Sequence, residues 1–149
     1  MKHQGLRLML IVLEAFVALT SLVCGVGLAI GVIQFPLVWL ASAPVHDYII
    51  LGWVMAIVVG GSSLLAALMM LAGQEAGVFF SALAGFLLLC FEVVEVSLVD
   101  RNLGIWLLLV VPLQALYSVI GLTIIGLAVY LWMTEYRHQH FHARHAHHA

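Results

Sequence analysis

Four long apolar stretches dominate this chain, and each is long enough to cross a lipid bilayer as a helix. A helix needs about 20 apolar residues to span the roughly 30 Å hydrocarbon layer. The stretches cover residues 8–33, 48–71, 77–99 and 103–132. They are continuous and show no period-two alternation, so helices rather than strands are expected. Of the 149 residues, 65% are hydrophobic and only 8% are charged. Soluble domains are roughly half apolar and about a quarter charged. A single small core cannot hide such an excess from water, so the apolar side chains are expected to face lipid. The N-terminal run is longer than the roughly 7–15 residues of a signal-peptide apolar region, and Glu14 interrupts it. It reads as a retained first helix.

The connections set the topology. Residues 34–47 form the longest loop; it holds Pro36 and Pro44 yet stays apolar, with Trp39 placed to anchor near the headgroups. The links at 72–76 and 100–102 are short, which forces neighbouring helices to run antiparallel. The predicted fold is therefore all-α: four transmembrane helices in an up-down-up-down bundle over 1–137, followed by a His-rich disordered tail over 138–149. Lys2, Arg7, Arg137 and Arg144 flank one side and Arg101 the other, which predicts both termini in the cytoplasm. A net charge of -2 without a basic stripe gives no reason to expect a nucleic-acid partner.

Helix contacts in lipid depend on small residues that let backbones approach. Candidates are Gly27 with Gly31, Gly60-Gly61-Ser62-Ser63, the Gly77, Ser81, Gly85 series, and Gly121 with Gly126. Cys24 and Cys90 are too few and too far apart for a disulfide framework, and read as small buried apolar residues.

Ionisable residues inside a span are expensive, so each is a functional candidate. Glu92 and Glu95 are three apart and share a helix face. Gln114 and Tyr117 on the fourth helix reach similar depth, Pro112 nearby is placed to kink that helix, and His46, Asp47 and Tyr48 enter the second helix from the same side. Together these residues are candidates for one polar cavity. Two carboxylates on one face repel when both are ionised, which suits holding a proton or accepting a cation or basic ligand. The alternative is structural: carboxyls hydrogen-bonded to Gln114, Tyr117 or His46 that only fix helix register. Glu14 lies apart from this group and is expected to snorkel or pair with Arg7.

His138, His140, His142, His145, His147 and His148 could hold zinc, copper or nickel weakly, but their irregular spacing selects no metal. No histidine lies inside a span, so a haem held between helices is not expected, and no other cofactor is called for. Nothing resembles a nucleophile–base arrangement, a phosphate loop or a dinucleotide fingerprint.

The stretch Ser42 to Tyr48, then Gly60-Gly61-Ser62-Ser63, the Glu92-Val93-Val94-Glu95-Val96 motif and the Leu113 to Tyr117 segment resemble a group of uncharacterised small bacterial four-helix integral membrane proteins. The resemblance covers roughly residues 20–130 and implies the architecture and a bacterial inner membrane, not an activity. A lone glutamate in helix one is also a feature of small multidrug-resistance transporters, but none of that family's other motifs occurs here. The first functional expectation is a non-enzymatic accessory or structural subunit of a larger membrane complex, or a homo-oligomer. Its partners would be the bilayer and other membrane subunits or itself. The second is a small transporter or lipid/ligand-binding protein with a polar pocket at Glu92 and Glu95.

Overall fold

The computed structural model describes residues 4–34, 47–98 and 104–146, with side-chain surroundings over 4–34, 47–98 and 111–134. The 34–47 loop apart from its two end residues, His46 and Trp39 included, and the Asp100-Arg101-Asn102 link lie outside the described residues.

Four helices are present: α1 (Gln4–Ala29), α2 (Ile49–Leu71), α3 (Ala76–Leu98) and α4 (Gly104–Ala146). All four are long and apolar enough to cross a membrane, α4 through its Val111–Thr134 segment. Leu19 (65% exposed), Ile57 (66%), Phe79 (67%) and Leu122 (61%) stand on the outer surface, one from each helix. Apolar side chains spread over every outer face belong against lipid tails. Hydroxyls on these helices bond to their own backbone: Thr20 donates to Phe16 O (2.9 Å), Ser97 to Val93 O (2.7 Å) and Thr123 to Val119 O (2.7 Å). That internal satisfaction is what an apolar solvent demands.

Three boundaries differ from expectation. α1 begins at Gln4 and stops at Ala29, where Gly31 adopts φ +76°, so residues 30–33 are not helical. A six-residue π segment, Met55–Gly60, sits in the middle of α2. α4 continues unbroken past Pro112 and on to Ala146, so the backbone of 138–146 is helical where an unstructured tail was expected. The turn after α2 follows its sequence closely. Gly73 (φ +70°) supplies the left-handed residue, while Gly73 N–H donates to Met70 O (3.1 Å) and Gln74 N–H to Met69 O (3.1 Å).

Small residues decide the packing, though not all the expected ones. Where α1 passes α2, Gly25 faces Gly52 and Ala56: a Cβ built on Gly25 would lie 2.6 Å from Ala56 N and 2.7 Å from Gly52 O. Gly60, further along α2, meets Leu22. The expected pair Gly27 and Gly31 does not make this contact, because the Ile33 side chain folds back over Gly27 and Gly31 lies beyond the helix in open space. In α3 the small series serves three neighbours. Gly77 lies against Met69 and Met70 of α2, Ser81 faces α1, and Gly85 faces Gly121, Ile124 and Ile125 of α4. Gly126 has nothing within 4 Å of a Cβ position. The cysteines also differ from expectation: Cys24 is half-buried, and Cys90 is exposed, lining an open concavity between α2 and α3.

These distances predict a contrast. A Cβ at Gly85 would lie 3.0 Å from Gly121 O and 2.9 Å from Ile125 Cγ1. Gly85→Ala should cost about 1–2 kcal/mol in a detergent unfolding titration, because a backbone oxygen cannot rotate aside. Gly126→Ala should be neutral or stabilising by up to about 1 kcal/mol, through helix propensity alone. Equal midpoints for the two variants would contradict the α3–α4 packing described.

Candidate functional site

Five polar or charged side chains are buried among the described residues: Glu14, Ser21, Ser63, Ser81 and Glu92. In a span whose exposed hydroxyls satisfy themselves on their own helix, the notable atoms are those that do not. Glu14 Oε1 and Oε2, Ser63 Oγ and Glu92 Oε2 are buried without a hydrogen-bond partner. Such atoms forgo about 1–3 kcal/mol each, so a chain that keeps them invites a functional explanation.

Some residues of the Glu92 group lie close together. Glu92 is 7% exposed, and Glu95 lies one turn further along α3. Glu95 also lies near Tyr48, which precedes α2. Burial and then the Glu95 carboxylate raise the Tyr48 phenol above its ordinary 10.0. Sequence reading had placed Tyr48 with His46 and Asp47 at the start of the second helix, on the same side as this pair. Asp47 plays a local part: its exposed carboxylate accepts from Ile49 N–H (3.1 Å) at the start of α2. Gln114 and Tyr117 are half-buried on α4, and Tyr117 packs against the hydrophobic core. Gly85 and Gly121 mark the α3–α4 contact, and Glu92 and Gln114 each lie seven residues from it. His46 lies outside the described residues.

Glu14 departs most from expectation. It neither snorkels nor reaches a hydrogen-bonding cation. It is 0% exposed, faces Ser81 across the α1–α3 interface, and has no hydrogen-bond partner on either oxygen. The Ser81 hydroxyl instead donates to Gly77 O (2.9 Å). A sequence signal existed, since Glu14 is ionisable and lies two turns into an apolar run. What was not legible is the face it takes. That depends on the Gly25–Gly52 approach, which turns the Leu10, Glu14, Val17, Ser21 side of α1 inward.

A concavity of about 320 Å³ lies between Ile50, Leu51, Val54 and Val58 of α2 and Leu87, Cys90, Phe91, Val94 and Leu98 of α3; neither Glu92 nor Glu95 lines it. It is apolar and half open to the side of the bundle, suited to an acyl chain rather than to polar chemistry. Among the described residues no cluster of three or more His, Cys, Asp or Glu is placed to hold a metal ion. Of the tail histidines, His138, His140, His142 and His145 fall on helical backbone whose side chains lie outside the described residues, and His147 and His148 lie outside them altogether. The chain matches no protein-family profile, no curated protein and no solved structure.

Proposed function

We propose that this chain is a small, non-enzymatic multi-pass transporter that binds a proton or monovalent cation at Glu92 and Glu95. The membrane is a bacterial inner membrane, both termini are cytoplasmic, and the helices run up-down-up-down. The observation that carries the reading is Glu92, a carboxyl buried inside a membrane span with one oxygen unpartnered and a second carboxyl one turn away. A charged side chain at membrane depth costs about 2.5–3.5 kcal/mol even by the mildest scales. A purely structural role would be filled more cheaply by an apolar residue. A carboxyl pair that exchanges a proton for a cation has a reason to remain.

The test is proton release. Sodium chloride and, separately, tetraethylammonium are added to the full chain in weakly buffered detergent. The wild-type protein should release protons as the cation binds. A Glu92→Gln/Glu95→Gln variant with unchanged circular dichroism should release none. Release from the double variant equal to wild type, or none from wild type with either cation, overturns the reading.

A second reading, an accessory subunit or homo-oligomer, draws on α4. Its Val111–Thr134 segment is the least covered of the four spans, with 22% of its most apolar window buried. Purification in mild detergent separates the two readings: a partner chain or second copy at fixed ratio supports the subunit, and a solitary chain removes it.

A further inference from the structure

Contacts along α1, α2 and α3 allow the buried polar groups to be placed in depth. Leu22 of α1 meets Gly60 of α2, and Gly77 of α3 meets Met69 and Met70 of α2. Counting about 1.5 Å per residue from the Gly60 level, Ser21 lies at that level, Ser63 about 5 Å toward the N-terminal end of α1, and Ser81 and Glu14 about 9–12 Å along the same way. Glu92 lies about 8 Å to the other side, and Glu95 about 12 Å. The polar groups are therefore spread in depth over about 24 Å of a hydrocarbon layer of roughly 30 Å, a succession referred to below as a file. One gap interrupts the file. Between Ser21 and Glu92 the same count places Val59 (1% exposed) and Leu88 (2%), both apolar and fully buried.

Three features mark this file as more than scattered polar residues. Its orphaned atoms (both Glu14 oxygens, Ser63 Oγ and Glu92 Oε2) fall on both sides of the apolar gap. The serines carry hydroxyls, which both donate and accept and so can pass a proton on by rotating. The π segment Met55–Gly60 contains Val59, so the gap coincides with the one stretch of α2 where regular helical bonding is already altered. Among residues whose side chains are described, the same count places few other titratable groups on the Glu14 side of the gap: Arg7, two turns before Glu14 on α1, Glu75 in the turn after α2, and Tyr130 of α4.

We infer that Glu14 is the inner station of a transmembrane proton path that runs from Glu92 past a dry Val59–Leu88 step to Ser21, Ser63, Ser81 and Glu14. The inference rests on the outer-site reading above and extends it to the opposite half of the bundle. A proton leaving the Glu92 carboxyl leaves a carboxylate behind. It crosses the dry step when water enters between α2 and α3, passes along the hydroxyls, and protonates the Glu14 carboxylate. Glu14 then releases that proton to water on the side of the α1 N-terminus and Glu92 takes up another from water on the opposite side, so one positive charge crosses the membrane per cycle.

The experiment reconstitutes the full chain into phosphatidylethanolamine/phosphatidylglycerol vesicles and follows internal pH with a trapped dye. Inward proton movement is driven by a potassium–valinomycin potential. Wild type should acidify the lumen faster than protein-free vesicles, and Glu14→Gln should fall back to the protein-free rate, a loss of about ten-fold or more. Leu88→Ser should raise the rate several-fold by wetting the gap, which a folding defect specific to the path cannot do. Leu88→Ser combined with Glu14→Gln should be silent, which excludes a general leak. Wild-type vesicles no faster than empty ones, or Glu14→Gln conducting like wild type, overturn the path. If cation-driven proton release in detergent survives while either of these holds, the outer site stands and only its extension to Glu14 fails.

Discussion

Gly25→Val should be among the most damaging single changes in the protein, costing about 3 kcal/mol. The reason is the identity of the atoms that block the new side chain. A Cβ at Gly25 would sit 2.6 Å from Ala56 N and 2.7 Å from Gly52 O, and one at Gly52 would sit 2.6 Å from Gly25 O and 2.7 Å from Ala29 N. These are backbone atoms on both helices, so no rotamer change relieves the overlap. α1 and α2 must separate, and with them goes the burial of Val17, Ala18, Ala56 and Val59. Lipid offers no hydrophobic drive to press the helices together again, so lost van der Waals contact is not recovered elsewhere. Reversible unfolding in mixed micelles, read against the mole fraction of dodecyl sulfate, measures the shift. Gly5→Ala provides the matched control, since nothing lies within 4 Å of its Cβ position. A Gly25→Val midpoint equal to wild type would show that the α1–α2 crossing is not as close as described.

Glu14→Met should move stability the other way, raising it by about 1–3 kcal/mol. Glu14 is fully buried with neither oxygen hydrogen-bonded, so folding strips it of solvation and returns little. Methionine has similar length, no polar atoms and enough flexibility to fill the space beside Ser81. Ser63→Ala should shift the midpoint in the same direction by less, since it removes one unpartnered hydroxyl rather than a whole carboxyl. The same micelle titration gives both numbers. If Glu14→Met unfolds more easily than wild type, the carboxyl has a stabilising partner and the description of an unsatisfied group is wrong. A stabilised but inactive variant is the expected signature of a residue kept for function at a cost in stability.

The polar group at Glu92 and Glu95 shows how far residue spacing carries. Glu92 and Glu95 were visible because three residues along a helix return a side chain to nearly the same face. Their nearness to the start of α2 followed from the short second link, and Tyr48 does lie within reach of Glu95. Asp47 was legible as a neighbour but not as the acceptor for Ile49 N–H, because a capping bond depends on local backbone angles. The glycines make the opposite point. Gly85 and Gly121 were expected at a helix contact and are found at one, while Gly126 was expected and faces open space. Gly25 was passed over for Gly27 and Gly31, since a spacing of four names a possible ridge without saying which side of the helix meets a neighbour.

What the sequence determined alone is the four-helix membrane character. Runs this long and apolar can satisfy their backbone in lipid only as helices, and their mean composition leaves no soluble alternative. Spacing also placed Glu92 and Glu95 on one face. Tertiary structure alone decided that Glu14 points inward. It also set the α1–α2 crossing at Gly25 and Gly52, and buried serines from three helices along with Glu14 and Glu92. The physical reason is rotational. Hydropathy fixes that a helix spans the bilayer, but these helices are apolar all round, so hydropathy cannot orient them about their own axes. Only the fit of one helix surface into the next sets that angle, and the angle determines which polar atoms are shut away from both lipid and water.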